Sequence, residues 1–310
     1  MKKIFKTNKH RLFGIVILII TIFIYKSVDV IIFAKNSAEK KIEVYTREIT
    51  EIPVMRSNLN PDKLDKTIEP VDQPATQSGI ATNFDIKNLS SKSVYIEDLD
   101  TNTKLFEKNS ERLLLPASAT KLMTALIAAQ VYEIDDVLTV PNVVEIEGSS
   151  VGLFKGEKMT AGELLKAALI QSSNDAAYAL ATNYSGGIDE YVKLMNQKAI
   201  ELNLKSTFFE NPAGFDGDGQ RSSAHDLAII SKEFMKNDFL KLVVSKKEET
   251  IGDVTGVYKH RLFNTHQLLW TDNSVVGIKT GTTEGAHQVL ITQFNRDGRN
   301  ILIIVMGSDD

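Results

Sequence analysis

The run Pro116-Ala117-Ser118-Ala119-Thr120-Lys121, continued by LMTALIAAQVY to Tyr132, decides how the chain folds. It carries no charge from Thr124 through Tyr132 and is apolar on nearly every face, so it predicts a helix buried on all sides rather than one lying on a surface. Working outward, the runs SVYIEDL (93–99) and KLFEKN (104–109), separated by the turn-rich residues 100–103, read as a hairpin. Downstream, Thr160-Ala161-Gly162-Glu163 has the capping-box pattern before LLKAALI, and DAAYALATNY, DEYVKLMNQKAIELN and HDLAIISKEFM continue the helical middle third. Near the end VVGIKTG, HQVLITQF and NILIIVMG read as three strands, the last two joined through the Asp297-Gly298 turn. Strands at both ends with helices between them predict an α+β domain, its mainly antiparallel sheet assembled from the two ends of the chain.

The wider composition bounds the function. The chain has 310 residues, 43% hydrophobic and 25% charged, enough for one sizeable core. A net charge of −4 argues against a protein that tracks nucleic-acid phosphates. Without cysteine there is no disulfide, thiol nucleophile or thiolate metal ligand, and the five histidines form no H-E-x-x-H pattern, so no metal and no cofactor are expected.

Charge is unevenly spread. Residues 1–35 hold seven basic residues and one acid, Asp29, ahead of a remainder that is strongly acidic. After the basic tail (1–11), residues 12–25 (LFGIVILIITIFIY) are uncharged, and extending to Ala34 gives a stretch long enough to span a bilayer if Lys26 and Asp29 pair or snorkel. Residues 12–34 therefore read as a transmembrane signal anchor, with a cleaved signal peptide as the alternative; either sends the rest of the chain across the membrane. Residues 35–83 hold four of the seven prolines and read as a spacer before the domain at 84–310.

Three short patterns occur in order: Ser118-Ala-Thr-Lys121, Ser172-Ser-Asn174 and Lys279-Thr280-Gly281. At a helix start, Ser118 and Lys121 fall one turn apart on the same face, and a neutral amine there can take the hydroxyl proton. Ser172 can relay a proton, Asn174 can orient Lys121 or hold a substrate amide, Lys279 offers positive charge, Thr280 a hydroxyl and Gly281 close backbone approach. S-x-x-K alone means little, since it is expected about once by chance in such a chain and Ser37-Ala-Glu-Lys40 is a decoy. The three together, each in its fitting context, outweigh coincidence. His225, His260, His266 and His287 read as surface or packing residues, residues 211–219 as a turn rather than a calcium loop, and Trp270 as core.

PASATKLMTALIA (116–128), GSSVGLFKGEKMTAGELLKAALIQSSNDAAYALA (148–181), FFENPAGFDGDGQRSSAHDLA (208–228) and GIKTGTTEGAHQVL (277–290) resemble serine-type D-alanyl-D-alanine carboxypeptidases, the low-molecular-mass penicillin-binding proteins, over about residues 84–310. The resemblance implies a β-lactamase/transpeptidase-like fold, an antiparallel sheet with packed helices and a helical lobe. It implies Ser118 as nucleophile, Lys121 as base, Ser172 and Asn174 as the second catalytic element, Lys279, Thr280 and Gly281 as substrate anchors, and an oxyanion hole from the backbone N–H groups of Ser118 and Thr282. The implied partner is a peptidoglycan stem peptide ending in D-Ala-D-Ala, with β-lactams acylating Ser118 as mimics. Departures are the central Ser173, Thr282 in place of a larger residue, and an end at Asp310 where relatives continue into a helix covering the sheet, which suggests an incomplete chain. A D,D-endopeptidase remains open as an alternative, as do a β-lactamase using Glu210 and, from another class, a non-catalytic wall-binding module.

Overall fold

The computed structural model describes residues 89–142 and 146–309. The predicted tail, anchor and spacer (1–11, 12–34 and 35–83) lie outside the described residues; among the described residues no helix is long and apolar enough to cross a membrane.

The two ends of the domain meet in one sheet. Strands β1 (Ser93–Asp98) and β2 (Thr103–Lys108) form the predicted hairpin, and β7 (Val275–Thr283), β8 (His287–Arg296) and β9 (Arg299–Ser308) form the C-terminal meander. The order is β2-β1-β9-β8-β7 and every pair is antiparallel, β1 joining β9 with Val94 opposite Val305 and Ile96 opposite Ile303. Alternation in β9 turns Leu302, Ile304 and Met306 into the core, while Ile301, Ile303 and Val305 stay partly exposed on the other face. β7 is an edge strand, which leaves one side of its backbone available to the site.

Helix α1 (Thr120–Val131) runs through the middle of the domain, buried at Leu122, Met123, Ala125, Ile127 and Ala128. A low-polarity sequence with no side left for solvent demands such a position. Around it lie α2 (Ala161–Ile170), α3 (Asn174–Thr182), α4 (Gly187–Glu201) and α5 (Ala224–Phe234). The N-cap half of the capping box holds: Thr160 accepts a hydrogen bond from the Glu163 amide at 3.2 Å, while the Glu163 carboxylate turns to Lys166 and the Gly252 amide. α5 packs on β1 and β9, fastened by Lys232 on the nearly buried Glu97 at 2.8 Å.

The sequence reading missed several pieces. Strands β3 (Val137–Thr139) and β4 (Lys158–Thr160) pair as a small ribbon, as do β5 (Glu248–Gly252) and β6 (Lys259–Phe263); α6 (Asp238–Val244) and α7 (Gln267–Thr271) are short additional helices. Trp270 is not core: it sits on α7 with 43% of its surface exposed, because its indole N–H reaches the Asn264 carbonyl at 3.0 Å and holds the ring on the outside of the helix.

Candidate active site

Ser118 stands in a tight 3-10 turn, Ala117–Ala119, that feeds directly into α1. The turn is entered through Ala117 at φ 47°, a left-handed conformation that a non-glycine residue adopts only when its surroundings hold it there. Two glycines do so. At Gly214 (φ 90°) a Cβ would lie 1.9 Å from the Ala117 carbonyl oxygen, and at Gly281 one would lie 2.8 Å from the Ser118 nitrogen. The serine turn is thus clamped between the 211–219 loop and β7, and Ser118 is left partly exposed between buried Ala117 and Ala119.

One helical turn on, Lys121 is fully buried. Its Nζ stands 2.8 Å from Ser118 Oγ, 2.7 Å from Asn174 Oδ1 and 2.8 Å from the Ala213 carbonyl oxygen. The amide and the backbone oxygens can only accept, whereas the serine hydroxyl can also donate. A neutral amine fits this arrangement with two N–H bonds given to Asn174 and Ala213 and its lone pair facing the Ser118 hydroxyl. Burial, reinforced by the charge of Lys279, pushes the Lys121 pKa well down, while Asp175 opposes the shift. The arrangement can deprotonate a serine.

Ser172 and Asn174 come from the sharp junction of α2 and α3, where Ser172 takes a left-handed φ of 60°. Asn174 opens α3, and its amide is oriented by donating through Nδ2 to the Glu147 carbonyl at 2.7 Å, which turns Oδ1 toward Lys121. Its backbone N–H donates to the Ser149 carbonyl at 2.7 Å. Buried Asp175 fixes the loop that supplies those carbonyls, accepting from Ser150 Oγ at 2.5 Å and from the Gly152 and Leu153 amides.

Lys279 is also buried, and its Nζ donates to Ser172 Oγ and to the Thr280 carbonyl, both at 2.8 Å. Burial pulls its pKa down to about 7. Thr280 meets Thr265 hydroxyl to hydroxyl at 2.8 Å, and Thr282 lies on the exposed rim. The structure therefore brings all eight residues singled out by sequence to one place. Ser118, Ser172, Asn174, Thr280, Gly281 and Thr282 line a cleft of about 970 Å³, with both lysines behind its wall.

Sequence reasoning missed the 147–149 segment, Ala213, Gly214 and Thr265. The first two act through backbone carbonyls, so their side chains carry no signal; the 211–219 segment reads in the sequence only as a turn, and the structure makes Ala213, Gly214 and Phe215 part of the cleft wall. His266 lines the cleft too, and burial draws its pKa down to about 4, which keeps it neutral. His225, His260 and His287 pair instead with Glu111, Glu157 and Asp309. Glu210 accepts from the Gly219 amide at 2.9 Å and does not line the cleft.

A family model described as D-alanyl-D-alanine carboxypeptidase matches residues 79–310. D-alanyl-D-alanine carboxypeptidase DacF of Bacillus subtilis (strain 168) is 37% identical over 223 residues, covering 70% of this chain and 57% of DacF. DacC of Escherichia coli (strain K12) is 31% identical over 234 residues, covering 71% and 57%. The chain thus spans a little over half the length of these curated relatives. Among solved structures, the Streptomyces K15 DD-transpeptidase superposes with a TM-score of 0.68 at 27% identity, over 76% of this chain and 93% of that one.

Proposed function

The chain belongs to the D-alanyl-D-alanine carboxypeptidase family, and from that premise we propose that it is a serine D,D-carboxypeptidase that removes the terminal D-alanine from peptidoglycan stem peptides. The observation that carries the reading is the buried Lys121 amine 2.8 Å from Ser118 Oγ, with two pure acceptors as its other partners.

In this reading Lys121 takes the Ser118 proton as Oγ bonds to the carbonyl carbon of the penultimate D-alanine. The developing oxyanion is met by the backbone N–H groups of Ser118 and Thr282. The C–N bond then breaks, the amine of the leaving D-alanine receives a proton through Ser172, and an ester on Ser118 remains. Water loses a proton to Lys121 as its oxygen bonds to the ester carbon; the bond from that carbon to Ser118 Oγ then breaks, Lys121 returns a proton to Oγ, and the shortened peptide leaves. Lys279 and Thr280 hold the carboxylate side of the substrate, and β-lactams acylate Ser118 in the same way. No cofactor or metal is needed for these steps.

Glu210, on which a β-lactamase reading depends, is engaged elsewhere, and three intact motifs around one cleft favour an enzyme over a passive wall-binding module. The same residues would also serve a D,D-endopeptidase. Residues 12–34 are proposed as a single membrane anchor and 35–83 as the spacer that carries the catalytic domain on the extracytoplasmic side.

The test is the intact mass of the full-length chain after incubation with a fluorescent penicillin, followed by D-alanine release from a peptide ending in D-Ala-D-Ala. One adduct, lost in Ser118→Ala and kept in Ser37→Ala, together with released D-alanine, supports the reading. A folded protein that forms no adduct overturns it.

A further inference from the structure

The turn of the β5–β6 ribbon, residues 253–258, presents apolar side chains to solvent: Val257 is 72% exposed, Tyr258 50% and Val254 45%. Phe154 joins them from the loop before β4, its ring edge to face with Tyr258 at a centroid distance of 4.6 Å, and the Val254 amide donates to the Lys158 carbonyl at 2.8 Å. Two segments distant in sequence therefore build one exposed apolar tip.

The tip is rigid. The Asp253 carboxylate accepts from the Tyr258 amide at 2.9 Å and from the Thr255 amide at 3.2 Å, the Asp253 amide donates to the Tyr258 carbonyl, and the Gly256 amide donates to the Asp253 carbonyl. Ordering cost is already met before anything binds.

The exposed charges of the two segments have one sign. Lys155, Lys158 and Lys259 are all exposed beside it. The acids of the same two segments, 151–158 and 253–260, are Glu157 and Asp253, and both are turned inward: Glu157 is buried against His260 Nε2 at 2.7 Å, and Asp253 is taken up by the turn. Among the described residues none of the three lysines is in an ion pair, which leaves a local group of three exposed cations around four exposed apolar side chains.

We propose that this tip is a shallow docking surface for an anionic lipid bilayer, with Val254, Val257, Tyr258 and Phe154 entering the interface and the three lysines at the level of the headgroups. A polyanionic polymer would use the lysines and leave the apolar tip in water; an apolar partner would do the reverse. An anionic bilayer rewards both, in the order in which they are stacked here, since Lys259 pairs with Gly252 one step behind the turn. Docking here would orient the cleft, because β6 leads directly into Asn264 and the cleft residues Thr265 and His266. The proposal does not depend on residues 12–34 being an anchor.

The absence of cysteine makes the test clean. Full-length Val257→Cys and, as control, Ile200→Cys on the exposed face of α4 are labelled with an environment-sensitive fluorophore. They are then incorporated into vesicles of phosphatidylglycerol and phosphatidylcholine or of phosphatidylcholine alone, with brominated acyl chains as quencher. The label at 257 is expected to shift to the blue, brighten at least about twofold and be quenched in the anionic vesicles only, with the label at 200 silent in both. Replacing Lys155, Lys158 and Lys259 by Ser should weaken the response by roughly fivefold per lysine, while penicillin acylation at Ser118 reports that the variant is folded. A label at 257 that remains in water on anionic vesicles, or behaves like the label at 200, overturns the proposal. So does one that responds only to a soluble anionic polymer or acidic protein, which would assign the tip to that partner.

Discussion

The amine of Lys279 donates a hydrogen bond to the Ser172 hydroxyl across 2.8 Å, joining the third short motif to the second. With its oxygen engaged as acceptor, the Ser172 hydroxyl keeps its own hydrogen to donate into the cleft. Ser172→Ala removes that donor, the relay of the proposed mechanism, without opening a large cavity. Acylation by a fluorescent penicillin is expected to slow by about a hundredfold with the melting temperature nearly unchanged. An acylation rate within a few fold of the parent would remove Ser172 from the proton path.

The two lysines predict a pH profile. In the proposed mechanism Lys121 acts when neutral, so acylation is expected to rise with pH as its buried ammonium loses a proton, and Lys279 anchors an anion when charged, so the rate is expected to fall again at higher pH. Because the charge of Lys279 helps depress Lys121, Lys279→Met must raise the Lys121 pKa and move the rising limb to higher pH. Acylation rates across the pH range check this, and an unmoved limb would show that the two amines do not sense each other.

Lys279 also predicts a stability effect. Its folded pKa, pushed to about 7 by burial, lies below the ordinary lysine value of about 10.4 in an unfolded chain. Between those values the unfolded state binds more protons, so stability rises with pH, and the full penalty for burying the charge is felt below about pH 7. Lys279→Met should therefore stabilise the fold by about 1–3 kcal/mol near pH 6, after the loss of two hydrogen bonds, and by less as the pH approaches about 10. Thermal unfolding of both proteins across that range measures it.

Gly214→Ala should be far more damaging than Gly156→Ala. Both positions have positive φ, but at Gly156 nothing lies within 4 Å of the added carbon, whereas at Gly214 it meets the Ala117 carbonyl at 1.9 Å. The expected costs are about 1 kcal/mol for Gly156→Ala and about 3 kcal/mol or more for Gly214→Ala, the latter with loss of acylation. Urea unfolding of both variants decides the matter.

How much of this was visible in the sequence depends on what kind of signal each piece carries. The β1–β2 hairpin, α1 and the β7–β9 meander announce themselves by apolar runs and turn residues, and the eight site residues by side-chain type in a fixed order. The β5–β6 ribbon does not: in KEETIG and KHRLF charged residues interrupt any apolar alternation, and the strands form because Ile251 and Leu262 are buried from one face. Glu147, Ser149 and Ala213 contribute carbonyl oxygens, which every residue has. Trp270 misled because a large aromatic usually signals core, whereas here a single hydrogen bond to Asn264 keeps it outside.

The glycine clamp on the serine turn has an evolutionary consequence. If β-lactams acylate Ser118 as proposed, selection by them favours variants whose cleft admits the peptide and rejects the drug, yet a side chain at Gly214 or Gly281 would collide with backbone atoms of the Ser118 turn. On that reading adaptive change is confined to side chains at the rim, such as Phe215, Thr282 and Leu268, which line the cleft, and resistance would have to be sculpted at its mouth rather than at its centre.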